Sequence, residues 1–151
     1  MSAGRICVRS VDTVAPNETA LAAARRMHSR KVGSLVVVDN QQRPLGVLTD
    51  RDLVVRVIAE NRDPNETLIS EVMSRLPETV REETPIEEAL RIMRGGPFRR
   101  LPVIAADGRL VGILSLDDIL DLLAEEFGEI GRLLREESPQ SLAGSSRIES
   151  G

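Results

Sequence analysis

The sequence has almost no aromatic residues: Trp and Tyr are absent, and Phe98 and Phe127 are the only two phenylalanines. A core must therefore be built from Leu, Ile, Val and Ala, and surfaces on which nucleic-acid bases could stack are nearly missing. Cysteine and histidine are equally scarce. Cys7 stands alone, so no internal disulfide can form, and with His28 the single histidine no metal centre of the usual nitrogen and sulfur ligands can be assembled. Cys7 itself reads as a buried, harmless thiol. An excess of basic charge is also lacking. A formal net charge of −4 argues against a protein that tracks a phosphate backbone, and nucleic acid is not an expected partner. Of the 20 basic residues only Lys31 is a lysine, which reads as coding bias rather than as a binding surface. No apolar run approaches the ~18 residues of a membrane span. The start MSAGRICVRS has no apolar signal segment, and a cytoplasmic location without a membrane span is expected.

What is present is aliphatic and repeated. With 151 residues and 41% hydrophobic content the chain can bury a real core. Its first half carries TVAPNETALAAARRM, SLVVVD and LGVLTDRDLV; its second carries TVREETPIEEALRIM, RLPVIA and VGILSLDDIL. Thr13 and Thr79, Met27 and Met93, Gly46 and Gly112, Thr49 and Ser115, and Asp52 and Asp118 are all 66 residues apart. No insertion interrupts the register.

Each copy reads as an extended lead-in, a helix, two strands and a second helix, an α/β (α+β) arrangement. In the second copy Thr84-Pro-Ile-Glu87 predicts a helix start with Thr84 as N-cap, proline at the first helical position and a capping-box glutamate. Ile86, Ala89, Leu90 and Met93, like Leu21, Ala24 and Met27, recur at helical spacing. The runs 34–38 and 101–104 are short and β-branched, as strands covered on both faces should be, with partner strands at 45–48 and 110–114. The second helices begin at Thr49 and Ser115. Each copy alone would have a thin core, so the two are expected to pack about a pseudo-twofold axis that creates a cleft. The boundaries fall at 1–66, 67–136 and a polar, disordered tail over 137–151.

At the same place in both copies an apolar strand ends in a hydroxyl, with a carboxylate three residues on: Gly46-Val-Leu-Thr49-Asp-Arg-Asp52 and Gly112-Ile-Leu-Ser115-Leu-Asp-Asp118. A strand end feeding a helix N-terminus offers unpaired N–H groups to an anion. The hydroxyl can donate to a phosphate while the carboxylate accepts from vicinal ribose hydroxyls. The same spacing is also a helix-capping signature, and from spacing alone both readings stay open. Asp50 with Asp52, and Asp117 with Asp118, could be magnesium pairs but read better as partners of the helix dipole. Gly95-Gly96 is a helix stop rather than a phosphate loop.

The TV lead-in, the alanine-rich helix ending in Met, the R-L-P-V strand and the strand-to-helix turn ending in Thr/Ser-x-x-Asp resemble the cystathionine-β-synthase (CBS) domain. Two in tandem resemble a Bateman module, and the likeness covers roughly residues 5 to 135. It implies two βαββα repeats and a stand-alone regulatory sensor, not an enzyme. The implied ligand is AMP, ADP, ATP or S-adenosylmethionine, held between the repeats as a regulatory molecule with no required cofactor. By position, Thr49 and Asp52 would serve one site, Ser115 and Asp118 the other, each hydroxyl on phosphate and each aspartate on ribose. Arg100, with Arg99 beside it, is the expected phosphate cation; the first copy offers only Lys31 in that region. Adenine contacts are expected from Ile69, Ser70 and Phe98 in the second copy and, by the same offset, from Ala3, Gly4 and Val32 in the first. The second site is thereby the better equipped. Ile119, Leu123, Phe127, Ile130 and Leu134 form a helical seam, partly packed on the sheet and partly free for a second subunit. A homodimer acting on an unidentified enzyme or transporter is the expectation. The alternative is a ligand-free structural or protein-interaction module.

Overall fold

The computed structural model describes the backbone of residues 1–75, 78–96 and 99–149, and the side chains of these up to residue 137. Its elements are α1 (Ala3–Ile6), β1 (Thr13–Val14), α2 (Ala20–Arg30), β2 (Ser34–Val38), β3 (Pro44–Thr49) and α3 (Asp50–Leu53), which continues as a π-helical turn over Val54–Ile58. There follow α4 (Ile69–Val72), β4 (Ser74–Arg75), β5 (Val80–Arg81), α5 (Ile86–Arg94), β6 (Arg100–Ile104), β7 (Leu110–Ser115) and α6 (Leu116–Glu149). The chain divides into a larger unit ending at Ser115 and the helix that begins at Leu116. That helix takes in most of the stretch where the sequence suggested a disordered tail.

Each repeat builds a small mixed sheet: β1 lies parallel to β2, and β2 antiparallel to β3, with β5, β6 and β7 repeating the arrangement. The central strands β2 and β6 are buried along most of their length, which explains their unbroken aliphatic runs. Leu35, Val37 and Leu48 meet Ala23 and Met27 of α2 in the first core, and Ile69 and Val72 of α4 complete it.

Those last two residues come from the second repeat. The lead-ins are exchanged. β4 pairs antiparallel with β3, placing Ser74 opposite Val47; reciprocally, Val8 and Ile113 exchange both backbone hydrogen bonds at 2.9 Å, docking the first lead-in on β7. The short helices follow the same rule. The Ile69 and Ser70 N–H groups donate to the carbonyls of Glu18 and Pro16, and those of Ala3 and Gly4 donate to Thr84 and Glu82.

The exchange also decides how the long helices begin. The Ala20 N–H donates to the Thr67 carbonyl and that of Ile86 to the Met1 carbonyl, so an orphan donor of each helix is met by the other repeat. Thr19 caps α2 through its side chain, accepting from the Ala22 N–H at 3.2 Å. The predicted Thr84 cap is corrected: Pro85 is the extended N-cap residue of α5, and the Thr84 hydroxyl accepts from the Arg81 N–H at 3.0 Å instead. A carbonyl from residue 1 supplies what a local capping box would have supplied, and a local motif cannot show that.

Gly46 and Gly112 sit where the exchanged segments press closest. A Cβ on Gly46 would lie 2.6 Å from the Ser74 carbonyl oxygen, and one on Gly112 would lie 2.6 Å from that of Val8 and 2.8 Å from the Cys7 sulfur. Gly46→Ala or Gly112→Ala is therefore expected to cost about 1–3 kcal/mol. Urea unfolding should show a lower midpoint for each; an unchanged midpoint would count against this close approach.

Candidate functional site

Thr49 is the last residue of β3 and the N-cap of α3. Its hydroxyl accepts from the Asp52 N–H at 3.1 Å, and the Asp52 carboxylate accepts from the Thr49 N–H through Oδ2 at 2.9 Å, forming a reciprocal capping box. The capping chemistry that the spacing allowed is present. It does not exhaust either group: the Thr49 hydroxyl, accepting here, keeps a proton to donate, and Asp52 keeps Oδ1, which lies 4.0 Å from Arg56 Nε. Arg56 also donates to the carbonyls of Val72 and Met73, so it ties this helix end to the exchanged lead-in. In the second copy Ser115 closes β7 and Asp118 lies in the first turn of α6.

The strand register brings further groups to the same end of each sheet. Ser34 stands opposite Thr49, and Arg100 stands opposite Ser115. Ser34 and Arg100 are themselves 66 residues apart, and they meet: Arg100 Nη1 donates to Ser34 Oγ at 3.1 Å. The equivalent strand starts of the two repeats thus touch through a cation and a hydroxyl, each beside a second hydroxyl residue. Ser34 went unnoticed in the sequence because serine at a strand start is unremarkable; adding the repeat offset to 34 would have flagged it.

Other expected contact residues are placed differently. Ile69 is fully buried in the first repeat's core, and its carbonyl accepts from the Met73 N–H. Ser70 is exposed, with its N–H held by Pro16. Both dock on the first repeat, whereas Ala3 and Gly4 dock on the second. Val32 packs against the first core, and Lys31, in the left-handed conformation with φ 57°, ends α2 with its side chain exposed. Arg99 is exposed, and Phe98 lies outside the described residues. Among the described residues there is no group of three or more His, Cys, Asp and Glu side chains that could hold a metal ion, and no helix long and apolar enough to cross a membrane. Cys7 is buried against the second sheet, and burial raises its thiol above the ordinary range.

A CBS-domain model matches residues 3–59 and 69–125, once for each copy. The chain belongs to the CBS-domain family. Its relatives include an uncharacterized protein of Methanopyrus kandleri, 36% identical over 122 residues that cover 81% of this chain and 62% of the relative. The CBS pair thus spans less than two thirds of that relative's length. Among solved structures, Hypoxic Response Protein I with two coordinated zinc ions superposes with a TM-score of 0.71 at 35% identity, covering 80% of this chain and 98% of that one. The CBS-pair protein CBSX2 of Arabidopsis thaliana, in complex with AMP, superposes with a TM-score of 0.68 at 27% identity, covering 82% and 96%.

The platform on which the second lead-in docks is held by one ion pair. Arg26 clasps both carboxylate oxygens of Glu18, at 2.7 and 3.0 Å, and donates to the Thr13 carbonyl, while Glu18 also accepts from the Ala15 N–H. The hydrogen bond from Arg26, outweighing burial, holds the Glu18 carboxyl below its usual range. A folded pKa below the unfolded one stabilises the fold above the unfolded value, near 4.5, and the contribution is lost as pH falls through the folded one. Glu18→Gln is expected to lower stability by about 1 kcal/mol at neutral pH, a figure reduced for the pair's partial exposure. Melting curves of variant and wild type should converge between about pH 6 and about pH 3; a gap that stays constant would rule the ion pair out as its source.

Proposed function

We propose that this CBS pair is a sensor that binds an adenosine-containing ligand, one of AMP, ADP, ATP or S-adenosylmethionine, between its repeats and signals to a partner enzyme or transporter without catalysing a reaction itself. The observation that carries this reading is the Arg100–Ser34 contact, with Thr49 and Ser115 as register partners. A guanidinium held by a neutral hydroxyl can exchange it for a phosphate at little cost, because the phosphate makes the stronger, charge-assisted bond. In this reading the hydroxyls of Thr49 and Ser115 donate to phosphate, and Asp52 and Asp118 accept from ribose. Arg99 and Phe98 would assist in the second copy, Lys31 and Val32 in the first.

A ligand that bridges equivalent edges of two repeats biases their relative arrangement by its differential affinity for the alternatives, and that bias is the signal. The AMP complex of CBSX2 supports the ligand class. A second copy of the chain belongs to the same reading: Val54, Val55 and Ile58, on the π-helical turn, are exposed apolar side chains in a row. One observation suits a purely structural module as well, namely that Thr49 and Asp52 bond each other in a reciprocal cap.

Calorimetric titration separates the readings. Wild-type protein should bind at least one of the four adenosine compounds. Arg100→Ala should weaken binding about tenfold or more, since a charge-assisted hydrogen bond contributes about 1.5–3 kcal/mol. A thermal-shift screen in which none of the four raises the melting temperature would favour the structural module. Equal affinity in wild type and Arg100→Ala would remove Arg100 from the site.

A further inference from the structure

Strand β2 starts at Ser34, beside Arg100, and ends at Val38, ~13 Å away along the strand. At that far end lies a cavity of about 400 Å³ that the reading above does not use. It sits at the carboxyl ends of the parallel strands β1 and β2, the side on which sheets with helical crossovers place ligands. Its polar groups come from Thr13, Glu18, Arg26, Asp39, Asn40 and Gln42. The charged members are already spent. Arg26 holds Glu18 and the Thr13 carbonyl, and Asp39 accepts from the Gln41 and Arg43 N–H groups and from Arg43 Nε. The Thr13 hydroxyl and the carboxamides of Asn40 and Gln42 make no hydrogen bond among the described residues. We propose that this cavity is a second ligand site, separate from the one at Arg100, and that it takes an uncharged polyhydroxylated molecule, a sugar or a polyol.

The second repeat serves as an internal control, because its hairpin folds the same way without these side chains. At the 66-residue offset Arg26 becomes Ile92, Asp39 becomes Ala105, Asn40 becomes Ala106 and Gln42 becomes Gly108. Yet the Asp39 and Ala105 N–H groups donate to the carbonyls of Arg43 and Arg109 at 3.0 and 2.9 Å, and those of Gln42 and Gly108 donate to Asp39 and Ala105 at 3.0 Å. The fold does not ask for the polar set. Gln42 sharpens the contrast: its φ is 63°, and Gly108 in the same place has 89°, a region that side chains disfavour. The first copy keeps a carboxamide where the backbone favours glycine. A hydroxyl and two carboxamides each donate and accept, as every hydroxyl of a sugar does, and the paired charges leave no net charge to select an ion. The Gln42 carbonyl also accepts from the Leu110 N–H at 2.8 Å, so a ligand held by the Gln42 side chain acts on a residue bonded to the second repeat.

Titrations of the full chain with glucose, ribose, myo-inositol and glycerol, followed by NMR, should show binding of at least one. Binding of glucose or ribose alone marks a sugar site, and binding of myo-inositol or glycerol alone marks a polyol site. The double variant Asn40→Ala with Gln42→Gly installs the residues of the second copy, so it should fold with an undiminished melting temperature while losing affinity tenfold or more. Arg100→Ala should leave that affinity unchanged, and the double variant should leave the response to adenosine compounds unchanged, so the two sites fail separately. Binding by none of the four, undiminished binding in the double variant, or loss of binding in Arg100→Ala would overturn the second site. Binding of putrescine or citrate alone, lost in the double variant, would overturn the uncharged ligand class.

Discussion

The reciprocal docking of the two lead-ins is the constraint on which the larger unit depends. Each repeat alone has a three-stranded sheet and too few aliphatic side chains to cover it, and each receives from the other a short helix, a strand edge and a helix-start carbonyl. Ile69 and Val72 fill the first core; Val8 pairs with Ile113 on the second sheet. The contacts repeat at one offset because the sequence repeats at one offset. A side chain on Gly46 or Gly112 would collide with the backbone of the visiting segment, so the exchange also accounts for the glycine that opens each strand-to-helix motif.

This arrangement brings the chemistry together. With the repeats interlocked, the starts of β2 and β6 come within hydrogen-bonding distance, and Ser34 meets Arg100. Thr49 and Ser115 are carried to the same place by the antiparallel register of each sheet. The capping box at Thr49 and Asp52 leaves both groups able to bond further. It orients the hydroxyl and the carboxylate, leaving a proton to donate on one and an oxygen to accept on the other.

Symmetry of backbone and asymmetry of side chains therefore coexist. Where the second copy has Arg100 the first has Ser34, and where the first has the Glu18–Arg26 ion pair the second has Thr84 and Ile92. These substitutions make the halves chemically distinct on an almost identical frame.

Much of this was legible in the sequence. Local periodicity located the four principal strands and the helices between them, since alternation and helical spacing depend only on neighbours along the chain. The constant offset of 66 residues marked the repeats, and the hydroxyl–aspartate motifs followed from it. The exchange of lead-ins was not legible, because nothing local distinguishes Ile69 packing on its own repeat from Ile69 packing on the other. For the same reason Thr84 read as a cap when the carbonyl of Met1 makes one unnecessary, and Ser34 read as an ordinary strand start when it holds Arg100. The sequence by itself determined the elements, the repeat and the residue types at each strand end. Only the tertiary structure decided which of them meet, because contacts between residues far apart in the chain depend on how two folded halves interlock.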